Sequence, residues 1–339
     1  MTTKTEREIS EQPEKFEKIV EQYEVISSDL LSFLKDIEKF SEIDFVGCGS
    51  SYYLSMGLSF HLNRVSKGKV ISKYFSGSEV AFGLRNFQKN SVLIGISRSG
   101  ESSETILALR RAKENGVKTC AITCNSKSEL ANIADISANL DLVNEESVVM
   151  TQSFTSMAFL GTLIIRNIFD LDLKDYMKSV PDISSKILEN SKNLFDKVKP
   201  ENYEHFVFLG YDEYFASSME GVIKVSETSL TPAEAYQTLE YRHGPKSKVN
   251  DKTLAVILAN DFIESEEEKM AKEIEQLGGS VIVMSKENTI IKNRLVLPFG
   301  DFSDWFVRVI PLQIIGVRKS LKKGLMPDAP KNLTKVVRF

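Results

Sequence analysis

Residues 6–40 place Phe16, Ile19, Val20 and Tyr23, then Leu30, Leu31, Leu34 and Ile37, at helical spacing among Glu and Lys. That pattern predicts amphipathic helices leading into a core. Beyond them the period shortens. Apolar runs bounded by Gly, Ser and Asn follow one another: IDFVGCG at 43–49, KVISKYF at 69–75, SVLIGIS at 91–97, VKTCAIT at 117–123 and ISANLDL at 136–142. Each has strand length and β-branched content. The segments 51–65 and 104–115 between them read as helices, and strand–helix alternation predicts a parallel sheet.

The second half repeats the plan in register. HFVFLGYDEYFASSMEG at 205–221 echoes DFVGCGSSYYLSMG at 44–57, with a shift from Gly47 to Gly210 of 210 − 47 = 163 residues. TLAVILAND at 253–261 follows SVLIGISRS at 91–99 by 253 − 91 = 162, and SVIVMSKEN at 280–288 follows the KTCAITCN strand at a similar shift. Three matches in order predict a duplicated α/β unit. The expected division is a helical segment at 1–40, a first subdomain at 41–180 and a second at 200–339. The polar stretch 170–203, punctuated by Pro181 and Pro200, serves as linker after an apolar helix at 151–169. The fold expected is α/β, two tandem doubly wound parallel-sheet subdomains in three α-β-α layers, with N-terminal helices. The halves differ where chemistry would sit. Glycines and hydroxyls follow the strands of the first, whereas the equivalent turn of the second reads YDEYFASS, so one half is suited to an anion.

Composition narrows the class. The 339 residues carry 43 Lys+Arg against 47 Asp+Glu, a balance of −4, and 42 % are hydrophobic. A chain this long exceeds the roughly 250–300 residues at which one core stops growing. The near-neutral balance offers no basic face for nucleic acid or an anionic membrane. Cys48, Cys120 and Cys124 form neither a disulfide framework nor a zinc site, which points to a reducing compartment. MTTKTEREIS lacks the apolar region of a secretory signal, and MAFLGTLII at 157–165 is far below the ~20 residues that cross a bilayer. A soluble, cytoplasmic protein is the expectation.

Two turns carry candidate chemistry. Gly47-Cys48-Gly49-Ser50-Ser51 joins a strand to a helix, where glycines admit a phosphate to the backbone and helix N–H groups point at it. The same residues also fit an ordinary turn with a Ser cap. It is not a dinucleotide fingerprint, for a third Gly is absent. Ser97-Arg98-Ser99-Gly100-Glu101-Ser102-Ser103-Glu104 opens a second helix with a cluster of hydroxyls and Arg98 as an added charge. Simple helix capping by Ser102 or Ser103, with Glu104 in the first turn, is the plainer alternative. Neither a Walker Lys nor an Asp-rich metal cage accompanies them, so no metal or organic cofactor is expected and a sugar phosphate fits better than a nucleoside triphosphate.

GCGSS at 47–51, SRSGESSET at 97–105, VVMTQSFT at 148–155, SETSLTPAEAYQTLEYRHGP at 226–245 and PDAPKNLTKVVRF at 327–339 together resemble the sugar-isomerase (SIS) domain family. The likeness is to the isomerase half of glucosamine-6-phosphate synthase and to stand-alone aminosugar-phosphate deaminases and isomerases. It implies that Ser97, Arg98, Ser99 and Ser102, with Ser51, hold the sugar's phosphate. It implies Glu227 as the isomerisation base, His243 of the HGP triplet as the ring-opening group supplied by the partner of a homodimer, and Lys335 as the ammonium near the sugar's first two carbons. Cys48, Gly49, Ser50, Met150 and Thr151 are the remaining expected substrate contacts. Three departures stand out. The family's S-T-K-A-F-T reads Met150-Thr151-Gln152-Ser153-Phe154-Thr155, Arg98 replaces a Gln, and Thr2 stands where the synthase's glutaminase would need its Cys.

The chemistry suits these residue types independently. A buried carboxylate can carry a proton between C1 and C2 of an open-chain sugar, and an imidazole titrates where a ring-opening shuttle must. A Lys ammonium can stabilise an enolate-like oxygen or form an imine. His61, on a helix, and His205, entering a strand, read as structural. Without a glutaminase the expected reaction is release of ammonia from glucosamine 6-phosphate. The alternatives are a tagatose-type ketose/aldose phosphate isomerase, a fructosamine-phosphate deglycase, and a regulator that binds sugar phosphate without turnover. No helix-turn-helix module with a basic surface precedes residue 40, which disfavours the last.

Overall fold

A computed structural model describes residues 2–35, 39–286 and 291–338. Ile37, the last two residues of the 280–288 repeat and the final Phe339 lie outside the described residues. Two compact units emerge. The first comprises Glu11–Glu145, Gln152–Pro181 and the tail from Thr334; the second comprises the first ten residues, Glu146–Thr151 and Asp182–Leu333. Helix α1 (Lys4–Ser10) therefore belongs to the second unit, and the long α2 (Gln12–Leu34) to the first.

In the first unit α2 buries Phe16, Ile19, Tyr23, Leu30 and Leu34, the face that the spacing predicts. Then come β1 (Glu42–Gly47), α3 (Ser50–Ser66), β2 (Tyr74–Ser76), α4 (Gly77–Ala81), β3 (Ser91–Ser97), α5 (Ser103–Glu114), β4 (Lys118–Thr123), α6 (Glu129–Ile133), β5 (Ile136–Asn139) and α7 (Gln152–Ile168). All five strands are parallel, in the order β2-β1-β3-β4-β5. Helix α7 is buried from Gln152 to Ile165, and Phe159 meets Phe16 edge-on at 5.1 Å. Strand β2 is shorter than the run 69–75 suggests. The carbonyls of Ile71 and Lys73 still accept from β1, but the N–H groups of Ser72 and Lys73 go to the side chains of Asn63 and Asp44, at 2.9 and 2.8 Å.

The predicted linker is mostly helix. Helix α8 (Lys174–Val198) contains Pro181, where the division between units falls, and a short 3-10 turn at Pro200–Asn202 follows. The second unit continues with β6 (His205–Leu209), α9 (Asp212–Ser229), β7 (Ala233–Tyr236), β8 (Thr253–Leu258), α10 (Glu264–Gln276), β9 (Ser280–Ser285), β10 (Arg294–Val296) and α11 (Val309–Lys322). Its sheet, β7-β6-β8-β9-β10, is again all parallel and repeats the strand order of the first.

The repeat extends to register. Val92 pairs with Lys118 between β3 and β4, and Leu254 pairs with Ser280 between β8 and β9, where 254 − 92 and 280 − 118 both give 162. The glycines obey it too. A Cβ on Gly47 would sit 2.5 Å from the backbone oxygen of Ser51, and one on Gly210 would sit 2.8 Å from that of Tyr214. In both copies the first strand must turn into its helix without a side chain. No described helix is long and apolar enough to cross a membrane.

Candidate active site

In the first unit the strand order reverses direction between β1 and β3, and a crevice opens at the carboxyl ends of parallel strands at such a switch point. Both hydroxyl-rich turns lie there. In the β1–α3 turn, Gly49 adopts φ +58° and ψ −127°, a conformation open to glycine, and no side chain caps α3. Ser50 and Ser51 are buried in the first helical turn. In the β3–α5 turn, Gly100 (φ +67°) donates its N–H to Ser97 Oγ at 3.1 Å, and Glu101 donates to Ser99 Oγ at 3.2 Å. Ser97 Oγ lies 3.4 Å from Ser102 Oγ.

Ser102 does not cap its helix. It occupies the N-cap of α5, yet its side chain makes no capping hydrogen bond. Elsewhere in the same unit the chain does cap with serine: Ser76 forms a capping box with Glu79 on α4, and Ser128 accepts the N–H of Ala131 on α6. The Ser102 hydroxyl is turned toward Ser97 instead.

Arg98 does not stand as an unpaired charge beside the hydroxyls. Its Nη1 lies 2.7 Å from Glu145 Oε2, with both side chains buried. Ser153 completes that carboxylate, donating its hydroxyl at 2.5 Å and its N–H at 3.2 Å. A buried ion pair offsets its desolvation when the remaining lone pairs are hydrogen-bonded, as they are here. Lys335 joins the same pair from the tail: its Nζ donates to the Glu145 carbonyl, and its own carbonyl accepts from Arg98 Nη2 at 3.3 Å. Farther along, the Val337 carbonyl accepts the Ser103 N–H at 3.4 Å, and Arg338 pairs with Glu101 at 3.0 Å. Cys48 Sγ rests 3.6 Å from Thr105 Oγ1, and burial pushes its thiol above the usual range, so it is no thiolate nucleophile.

The remaining candidates lie in the second unit. Glu227 is on α9 with its side chain 31 % exposed, 3.5 Å from the ammonium of Lys224. Lys224 is itself buried, held by Glu220 at 3.2 Å and by the Met150 carbonyl at 3.0 Å. Thr151 contributes its carbonyl to Gln313 at 3.2 Å. The row Glu220, Lys224, Glu227 is a feature that reading by motif overlooks. Spacing of four and three residues puts all three on one helical face, a signal present in MEGVIKVSETS. A Lys almost never goes under fully unless it is paired. Here it fixes one face of a carboxylate that keeps a solvent-facing side. His243 is exposed, at the end of the 3-10 turn Glu240–Arg242 and followed by Gly244 at φ +123°. Glu227 and His243 thus share a unit, while the serine cup, Arg98 and Lys335 share the other. Two grooves of about 610 and 700 Å³ in the second unit, lined by residues such as Asn190 and Val296, include none of these candidates.

Comparison with known proteins shows the family. Residues 36–166 match the SIS domain model. Glutamine–fructose-6-phosphate aminotransferase (isomerizing) of Buchnera aphidicola is 29 % identical over 315 residues, covering 88 % of this chain and 51 % of that protein. The Francisella tularensis enzyme of the same name is 28 % identical, covering 94 % and 58 %. The chain spans about half the length of the curated relatives it matches. Among solved structures, glucosamine-6-phosphate deaminase from Thermotoga maritima superposes with a TM-score of 0.86 at 31 % identity, covering 99 % of each chain. The C-terminal domain of the Francisella tularensis aminotransferase gives 0.85 at 26 %, covering 97 % of this chain and 99 % of that one. Tagatose-6-phosphate ketose/aldose isomerase from Escherichia coli, at 22 % identity and 0.85, shares the fold. The chain belongs to the SIS-domain family of phosphosugar enzymes and is homologous to the isomerase domain of glutamine–fructose-6-phosphate aminotransferase.

Proposed function

We propose that this protein deaminates glucosamine 6-phosphate to fructose 6-phosphate and ammonia. The observation that carries the reading is the likeness, along 99 % of both chains, to a structure described as glucosamine-6-phosphate deaminase. The uncapping geometry of Ser102 supports the phosphate as the group recognised, because hydroxyl and backbone donors suit a dianion.

In this reading Ser51, Ser97, Ser99 and Ser102 receive the phosphate, and Arg98 and Lys335, tied through Glu145, keep the turn and tail in shape. His243, from a neighbouring subunit of a homodimer, moves a proton from O1 to O5 and opens the ring. Glu227 then takes the C2 proton and returns it at C1. The aldehyde carbon becomes CH2OH, its oxygen gaining the proton that the C2 amine loses, while C2 becomes an imine, to which water adds as ammonia leaves. Lys224 holds the Glu227 carboxylate in place, and positioned acid–base groups of this kind contribute ~10²–10⁴-fold each.

Coupled assay of purified protein for ammonia and fructose 6-phosphate tests the proposal. Turnover should fall at least ~10²-fold in Glu227→Gln; equal ammonia release by wild type and variant would reject it. Conversion of an aldose to a ketose phosphate without ammonia would instead support the isomerase alternative.

A further inference from the structure

The loop 237–249 of the second unit carries His243 and is held from outside by carboxylates. Arg242 stands immediately before the imidazole and Lys246 three residues after it, and both reach Glu273 on α10. Arg242 Nε donates to Glu273 Oε1 at 3.0 Å, while Lys246 Nζ donates to Oε2 at 2.9 Å. Each oxygen therefore serves a different cation, and the carboxylate fixes the span between them. His243-Gly244-Pro245 is that span.

Its backbone is tied only locally, the His243 N–H donating to the Glu240 carbonyl and the Gly244 carbonyl accepting the Ser247 N–H, each at 3.0 Å. His243 and Gly244 are exposed, and Gly244, at φ +123°, adopts a backbone conformation that glycine tolerates without strain. The flanks are better anchored: Tyr241 is fully buried, Thr238 donates to Glu267 at 3.0 Å, and Lys248 pairs with Glu234. Glu266, one turn-pair before Glu273 on the same face of α10, lies 3.4 Å from Arg242 Nη1 and adds a weaker hold. Both of the Glu273 bonds involve side chains about a quarter to a third exposed, so they contribute little to global stability. Their effect is local, on where the imidazole sits.

We propose that Glu273 is a positioning residue for His243, clamping Arg242 and Lys246 so that the imidazole is presented in one place. The proposal rests on the reading of His243 as the ring-opening group. A proton shuttle must stay within hydrogen-bond reach of its oxygens, and a displacement of ~1 Å can cost up to ~10²-fold. Glu273 touches no reacting atom and acts only through the loop.

The test uses the full chain with Glu273→Ala and Glu273→Gln. For glucosamine 6-phosphate, kcat should fall about tenfold in the Ala variant, with KM unchanged. Affinity for 2-amino-2-deoxyglucitol 6-phosphate, an open-chain analogue that needs no ring opening, should be unchanged as well. Glu273→Gln, which keeps one acceptor oxygen, should lie between. Tryptic cleavage after Arg242 and Lys246 should accelerate in the Ala variant, a readout that needs no activity. Unchanged kcat, a parallel loss of kcat and analogue binding, or unchanged cleavage would overturn the clamp. A wild type that turns over no aminosugar phosphate would overturn the functional reading instead, while the cleavage rates would still decide the clamp.

Discussion

Glu267 offers a quantitative prediction. It is buried at the start of α10, where Oε2 accepts the Asn260 N–H at 2.8 Å and Oε1 accepts the hydroxyl of Thr238 at 3.0 Å and the amide of Asn260 at 3.3 Å. Burial outweighs these bonds and pushes its carboxyl up from 4.5 to about 7. Because the folded state holds the proton more tightly than the unfolded chain, the contribution to stability is whole below 4.5 and is lost as pH rises through 7. At ~1.4 kcal/mol per pH unit the full loss is about 3 kcal/mol, of which about 2.5 kcal/mol falls between pH 5 and pH 8. Glu267→Gln removes the titration. The single tryptophan, Trp305, is fully buried in the same unit and reports its unfolding. Urea unfolding followed by that fluorescence should show wild type losing about 2.5 kcal/mol more than the variant between these pH values. Parallel losses in the two proteins would refute the reasoning.

Three further outcomes follow from the cup and its supports. Ser102→Ala should leave the melting temperature unchanged but raise KM for the sugar phosphate, whereas Ser76→Ala, which removes a real cap, should cost ~1 kcal/mol in thermal unfolding. Arg98→Met strands the buried Glu145 carboxylate and should destabilise by ~3–5 kcal/mol, while Arg98→Met with Glu145→Gln should recover much of that loss; a melting temperature for Arg98→Met equal to wild type would contradict the pairing. Gly47→Ala forces a Cβ to within 2.5 Å of the Ser51 backbone and should cost ~1–3 kcal/mol by the same measurement, and it should weaken phosphate binding through the displaced turn.

Much of this architecture is written locally. The shift of 162–163 residues depends on strand-length apolar runs and on Gly47 and Gly210, each required by contacts four residues away, so the duplication is legible without coordinates. The two hydroxyl turns are legible for the same reason. Strands β7 and β10 escape notice because AEAY and RLV are too short for a period to develop. The spacing of Glu220, Lys224 and Glu227 is equally local, but that the middle member is buried while the last keeps partial exposure is not.

The sequence by itself determined two copies of one parallel α/β unit, the glycine turns that begin them, and which copy carries hydroxyls at its switch point. These follow from period and from steric rules acting over a few residues. Tertiary structure alone decided that Arg98 pairs with Glu145, that Lys335 joins them through its ammonium and its carbonyl, that Ser102 leaves its helix uncapped, and that Glu273 bonds to cations on both sides of His243. The contacts of Arg98, Lys335 and Glu273 depend on which groups meet across 27 to 237 residues of intervening chain. A charge has no periodicity that names its partner, and only the folded chain brings the two together.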